Sequence, residues 1–397
     1  MHIPAEQIYK EIKSEDAGVW IVPASNQETA ILIKLPTSAA KSLIAGSELE
    51  LFAGIIDNYL CGGVKIFDVP DAPLFICKPQ HHKQALESLI KITSLKKSPL
   101  FLYNEMDICI ASSEISFHHK AKEQLNDYLD LKYELSLSKD IQNANAISDR
   151  FLTKMQNQNG SILRFEVTCD QWESSPTSFY GVKNTYTISI DELNEGEVFE
   201  RAIWASLESV FPLTLTKSPQ VQEGKKKREL TDIVASHQYG TFLIESKDLS
   251  VFQAGMNRTR ERRLKGTQKQ ALRAISQLTG ASKMVRNVRN ITSLDNCSVP
   301  LVLNQPMHCI ALITEIMHEG DWSKVVQALI KANRETGEFF HLLDFKELIN
   351  LLKLSNGDSR LFDYNLMLRF EKLIKLKSIH ISACADSKDL TEDTIKA

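Results

Sequence analysis

The sequence predicts an α/β protein, and three observations carry that expectation. Short apolar runs of strand length recur along the chain, among them 19–22, 30–35, 74–77 and 309–314. Other segments place apolar residues at helical spacing, such as Trp322, Val325, Val326, Leu329 and Ile330. Between about 134 and 160 the chain turns polar and rich in Ser, Asn, Gln and Asp, which predicts a boundary. The expected organisation is a mixed α/β domain over 1–150 and a second domain over 151–385. The second domain, with its core over 190–380, should be a mixed sheet sandwiched by helices, followed by a disordered acidic tail over 386–397.

A chain of 397 residues with 43% hydrophobic and 24% charged residues has the composition of a soluble globular protein of two or three domains. No apolar run approaches the ~18–20 residues of a membrane span, and the N-terminus lacks a basic-then-apolar leader pattern. The expectation is a cytoplasmic protein with no membrane partner. Seven cysteines, widely spaced and without a CxxC pair, support neither a zinc ribbon nor a disulfide framework.

In the first domain the strand-like runs are 19–22, 30–35, 48–52, 64–67 and 74–77, then a helix from about 82 to 93. A hairpin across 100–103 and 108–111 and a helix beginning near His118 complete it. The pairs His81–His82 and His118–His119 make no chelate, because adjacent helical residues diverge by about 100°. The domain has no Gly-rich phosphate loop or nucleophile elbow, and a regulatory, targeting or oligomerising role is expected.

Strand-like runs at 162–169 and 185–190 follow, then a helix over about 195–210 in which Glu200 or Glu208 could carry a carboxylate toward a site. Residues 219–228 read as a loop ending in Lys225, Lys226, Lys227 and Arg228. The next stretch, 229–247, is the centre of the reading. Two apolar runs, 230–236 and 241–247, flank a turn at 237–240 where Gly240 is able to take a positive φ. A turn centred on Gln238 and Tyr239 puts Asp232 opposite Glu245, with Lys247 on the same face. Opposed carboxylates repel, and a hard divalent cation resolves the conflict while leaving positions for water and a phosphate. The lysine can then hold or help deprotonate the attacking water. The plainer reading is a surface hairpin with a weak Glu245–Lys247 ion pair.

Charge is distributed unevenly. The net charge is −3, yet residues 225–290 hold 15 Lys or Arg against five Asp or Glu. Arg258, Arg260, Arg262, Arg263, Lys265, Lys269 and Arg273 crowd the stretch after the hairpin, a footprint for a polyanion. A helix is expected from Gly266 to Gly280, ended by that second glycine, with Ala271, Ala274, Ile275 and Leu278 inward. Gln270 and Gln277, seven apart, share a face from which they could bond a phosphate, a base edge or a water. Later strands are expected at 300–303 and 309–314, a strand at 339–344 leading into a helix, and a last helix near 362–375. His341 reads as a packed residue.

Asp232, then Glu245-Ser-Lys247 after a short hairpin, preceded by a helix with Gly196-x-x-Phe-Glu200 and followed by a Gln-bearing basic helix, resembles the PD-(D/E)xK, or restriction-endonuclease-like, nucleases. The resemblance covers about residues 190–380, with Thr231 standing where the motif has proline. It implies a restriction-endonuclease-like fold and a Mg²⁺-dependent phosphodiesterase, an endonuclease acting on DNA rather than RNA. Mn²⁺ is expected to substitute. It implies Asp232 and Glu245 as metal ligands, Lys247 as the water-positioning group, and Glu200, Gln270 and Gln277 as supplements. A restriction or phage-defence effector gated by its N-terminal domain is the role it points to, in a homodimer or larger homo-oligomer because cutting two strands takes two centres. The rival expectation is a scaffold that binds nucleic acid on the same fold without turnover.

Overall fold

The computed structural model describes residues 4–24, 29–81, 84–118, 121–129, 144–157, 162–182, 185–223, 226–248, 259–287 and 290–382. It is a mixed α/β structure of two compact units. The first comprises Met1–Thr177, Thr187–Glu195 and Ser250–Arg260, the second Ser178–Tyr186, Gly196–Leu249 and Glu261–Ala397.

The first unit is built on one sheet. Its strands are β1 (Gly18–Pro23), β2 (Thr29–Lys34), β3 (Leu49–Ile56), β4 (Tyr59–Ile66), β5 (Leu74–Pro79), β6 (Ser98–Tyr103), β7 (Cys109–Phe117), β8 (Ile162–Cys169) and the short β9 (Glu173–Ser174). Helices α1 (Glu6–Ser14), α2 (Thr37–Ile44), α3 (Ala85–Ile92), α4 (Ala121–Leu129) and α5 (Ala144–Gln156) complete it. The order is β1-β2-β6-β7-β8-β3-β4-β5, with β9 on β7. Gln80, just past β5, donates to Val19 O and accepts from Ile21 N, so one buried amide ties the two edge strands together. Ile31, Ile33, Leu51, Val64, Leu100, Leu102 and Phe165 fill the core. A boundary at 150 is therefore corrected. Strand β8 pairs with β3 and β7, so the first unit runs on to Thr177. The polar stretch that suggested a boundary joins two parts of one unit.

The second unit takes in Ser178–Tyr186 and then α6 (Glu195–Leu207) from Gly196 onward. Before it come the short strands β10 (Thr177–Tyr180) and β11 (Thr185–Ile188), paired with each other. Its main strands are β12 (Thr216–Lys217), β15 (Ile233–His237), β16 (Gly240–Lys247), β18 (His308–Ile313) and β19 (Phe339–Asp344), in that spatial order. The first three run antiparallel, and β16, β18 and β19 run parallel. The parallel steps need crossovers, supplied by α7 (Arg260–Asn287) and α8 (Ser323–Thr336). On one face Val234, Leu243, Ala311 and Ile313 pack with Ala271, Ile275 and Leu278 of α7 and Val325 and Leu329 of α8. On the other, Phe211 meets Phe242 and Phe362, and Phe199 of α6 meets Phe345. Those last partners lie in α10 (Ser359–Leu376) and α9 (Phe345–Ser355), so helices cover both faces.

Several expectations change here. Residues 219–228 include strands: β13 (Gln220–Glu223) and β14 (Lys226–Glu229) pair, and β13 also pairs with β17 (Ile291–Thr292), because Val221 buries its side chain there. Residues 300–303 form no strand, and instead Pro300 O and the backbone of Val302 are bonded by the hydroxyls of Ser236 and Thr241. Helix α7 spans 28 residues, so Gly266 and Gly280 lie inside it. Apolar and small residues continue at helical spacing to Val285, and that buried stripe outweighs the two glycines. Gly240 has no positive φ; the turn is instead held by Tyr239 N–H donating 3.0 Å to His237 Nδ1.

Candidate nuclease site

The hairpin register is the expected one. Ile233 pairs with Ile244 and His237 with Gly240, so the position after Ile233's partner is Glu245. The ladder stops there for a local reason: Thr231 and Asp232 satisfy β16 with side chains instead of backbone. Thr231 Oγ1 lies 2.8 Å from Ile244 O and 3.1 Å from Glu245 Oε2. Asp232 Oδ2 accepts from Ser246 N at 2.7 Å and Ser246 Oγ at 2.8 Å. Asp232 lies one residue beyond the end of the backbone ladder, where continuing the register sets it against Glu245. Its carboxylate is anchored through one oxygen at the hairpin's open end, while Oδ1 has no hydrogen-bond partner among the described residues.

Glu245 and Lys247 share a face of β16, and Lys247 Nζ lies 2.6 Å from Glu245 Oε1. Glu245 is only 3% exposed. Burial first, and then the negative charge of Asp232, push its carboxyl above the usual range, against the pull of Lys247 and Thr231. Glu200 of α6 joins the same electrostatic group. Burial and then Asp232 raise its carboxyl, and Lys217, 3.4 Å from Oε2, opposes the rise. Glu208 is elsewhere, accepting from Trp204 Nε1.

At the C-terminal end of β16 the charge of Asp232 thus acts on both Glu245 and Glu200, and β16 is a central strand with β15 antiparallel on one side and β18 parallel on the other. This end is where open α/β sheets place ligands. Among the described residues no group of three or more His, Cys, Asp or Glu side chains is placed to hold a metal ion. The donor chemistry fits a hard divalent ion with few protein ligands: a half-free carboxylate beside a buried one that its neighbour's charge disfavours.

The supplementary residues divide. Gln270 is half-buried and Gln277 exposed, and no hydrogen bond joins either to the carboxylates or to Lys247. Along α7 the exposed Arg262, Lys265, Lys269 and Arg273 fall three or four residues apart, so they form one stripe opposite the buried one. Arg263 faces inward and bonds Glu315 Oε2 at 2.6 Å, which makes it a packing residue and corrects its assignment to a phosphate surface. Arg260 counts with the first unit, where its backbone N–H donates to Asp71. Lys226, Lys227 and Arg228 are exposed on β14, and Lys227 bonds Asn296. Lys225, Arg258 and the 386–397 tail lie outside the described residues. His341 is buried as expected, 3.0 Å from His308 Nδ1 through its Nε2; burial and then His308 and Arg369 hold it well below the ordinary histidine range.

Sequence reasoning noted Thr231 only as the residue in the motif's proline position, and gave no part to Ser246 or Lys217. The first two were visible as hydroxyls flanking the acids. Lys217 was not, because only the β12–β15 pairing brings it near.

Comparison of the chain with protein-family models, with curated proteins and with solved structures finds no match. No helix among the described residues is long and apolar enough to cross a membrane.

Proposed function

We propose that the second unit is a Mg²⁺-dependent nuclease that hydrolyses phosphodiester bonds of DNA. The observation that carries the reading is the contact of Glu245 with Lys247 on a central strand, with Asp232 close enough to raise the Glu245 carboxyl. Asp232 through Oδ1, and Glu245, would hold the ion, which offsets charge on the phosphoryl oxygens. Lys247, freed from part of its hold on Glu245, orients the attacking water and eases its proton away. Thr231 keeps the Glu245 carboxylate turned toward Lys247, and Ser246 fixes Asp232 at the hairpin's mouth. The exposed stripe of α7 neutralises backbone phosphates, so affinity falls with added salt. Further support comes from the order of elements. A helix, three antiparallel strands of the main sheet, a helix and a parallel strand, with Asp232 just before the second of those strands and Glu245 on the third, resembles the restriction-endonuclease-like core.

Cleavage of plasmid and of single-stranded oligonucleotide, with Mg²⁺ or Mn²⁺, tests this. Asp232→Ala and Lys247→Ala should each lower the rate by about 10³-fold, the size of losing several kcal/mol of charge stabilisation. Salt-sensitive DNA binding by all three proteins with cleavage by none would replace this reading with the scaffold one. That alternative has one observation on its side, the engagement of Asp232 by Ser246.

A further inference from the structure

At the turn end of the same hairpin the second unit holds a chain of titratable side chains that the proposed chemistry does not use. Asp363 of α10 lies at its centre. His308 Nε2, on β18, is 2.9 Å from Asp363 Oδ1, and His237 Nε2, on β15, is 3.8 Å from the same oxygen. His341 Nε2, on β19, is 3.0 Å from His308 Nδ1. His308 and His341 are 1% and 2% exposed, and the rings of Phe242 and Phe339 pack on His308, so the pair is screened from solvent.

The bonding fixes where the protons sit. Burial raises the Asp363 carboxyl, but the contacts of His237 and His308 outweigh it and hold the group well below the usual carboxylate range. An ionised carboxylate only accepts, so His308 carries its proton on Nε2. Its Nδ1 is then bare in the neutral ring and accepts from His341 Nε2–H. At the turn, Tyr239 N–H donates to His237 Nδ1, which leaves the His237 proton on Nε2, beside Asp363. That Nε2 is buried and makes no hydrogen bond.

Both rings beside Asp363 therefore use their bare nitrogen as an acceptor, and a further proton would turn that acceptor into a donor. On His237 it breaks the bond that holds the turn. On His308 it sets two N–H groups against each other across β18 and β19. Facing His237 are the Asp363 carboxylate and the Tyr239 phenol, while Arg360, one turn before Asp363, is bonded to Asp358. His341 gives no relief. Burial, His308 and Arg369 oppose a charge on it more than Asp363 favours one, and Arg369 is itself held by Glu347 of α9.

We propose that this chain is an acid-sensitive latch: with one proton per ring it ties the hairpin turn and the β18–β19 pair to Asp363, and uptake of another proton breaks a bond and releases α10 from the sheet. The latch stands apart from the metal-dependent reading of Asp232 and Glu245, and the outcomes below do not bear on that reading.

Urea unfolding of the full-length protein tests it, with His341→Gln as the comparison. Glutamine keeps an N–H near the position of Nε2 and takes up no proton. The unfolded chain binds the His341 proton below about pH 6.5 and the folded latch does not, so stability falls as pH drops through that value. Between pH 6.5 and 5 the unfolding constant of the wild type should rise about tenfold per pH unit more than that of the variant, the effect of one proton. Groups common to both proteins cancel in that difference, and equal slopes would overturn the latch. Hydrogen exchange and histidine ring-nitrogen NMR on the wild type need no variant. At pH 7.5 all three rings should carry their proton on Nε2, and on acidification the α10 amides should lose protection before those of α7. A doubly protonated His308 with α10 still protected, or α10 and α7 losing protection together, would equally overturn it.

Discussion

In the first unit the buried lysines are matched to partners one by one. Lys34 donates to Ile12 O at 2.8 Å, to Glu15 O at 2.6 Å and to the Asp107 carboxylate, so all its protons are used. Lys41 meets Glu195 at 2.8 Å with both side chains at most 5% exposed. At the end of the second unit's sheet the balance differs. Glu200, Asp232 and Glu245 face two lysines, one carboxyl oxygen of Asp232 has no hydrogen-bond partner among the described residues, and burial and the charge of Asp232 raise the other two acids. Charge that is matched and fully bonded holds a fold together. An excess of one sign with unused lone pairs costs stability, and proteins keep such arrangements where a ligand supplies the missing charge.

The largest expected difference is between removing a matched partner and removing an excess one. Lys34→Met takes the buried Lys34 ammonium away from the buried Asp107 carboxylate and should destabilise the first unit by about 3–5 kcal/mol in denaturant unfolding. If it costs no more than Glu245→Gln, the contrast between the two regions collapses.

Glu245→Gln should be far milder, and its signature lies in pH. The folded carboxyl titrates above its unfolded value, so from about pH 4.3 upward the unfolded chain gives up this proton first. Stability therefore falls as pH rises through that window, and the cost is fully present once the folded group has ionised. The glutamine variant should lose this part of the slope when the second unit's melting is followed from pH 4 to 8. Saturating Mg²⁺ should stabilise the wild type by about 2.7 kcal/mol at a hundredfold excess over Kd, raising its midpoint, and leave the variant's unmoved. A Mg²⁺ response in both proteins would remove Glu245 from the site.

The smallest effect is a marker for the second unit. Gly280 lies inside α7, and a Cβ there meets nothing within 4 Å. Gly280→Ala should add about 0.5–1 kcal/mol to the second unit's unfolding transition alone, which identifies that transition in the two experiments above.

Legibility differed by the range of the interactions. The pairing of Ile233 with Ile244 could be read from a two-residue turn, because the register of a short hairpin is set locally. The strand entering α9 could be read too, where Asp344 caps the helix through Glu347 N at 2.8 Å. The α7 ends were misread because glycines that look like stops are overridden when the neighbouring turns bury a stripe against a sheet. The run at 162–169 could be read as a strand, but its placement in the second domain failed because its partners, β3 and β7, lie about 50–110 residues earlier and share no pattern with it.

By itself the sequence determined the alternation of strands and helices, the hairpin that carries Glu245 and Lys247, and the excess of basic residues after it. All of these are properties of neighbours along the chain. Tertiary structure alone decided that Asp232 turns to Ser246, that Arg263 folds inward to Glu315, and that Lys217 comes to rest beside Glu200. Each of those contacts depends on packing between elements far apart in sequence, and it is burial there that sets which charges are answered and which are left over.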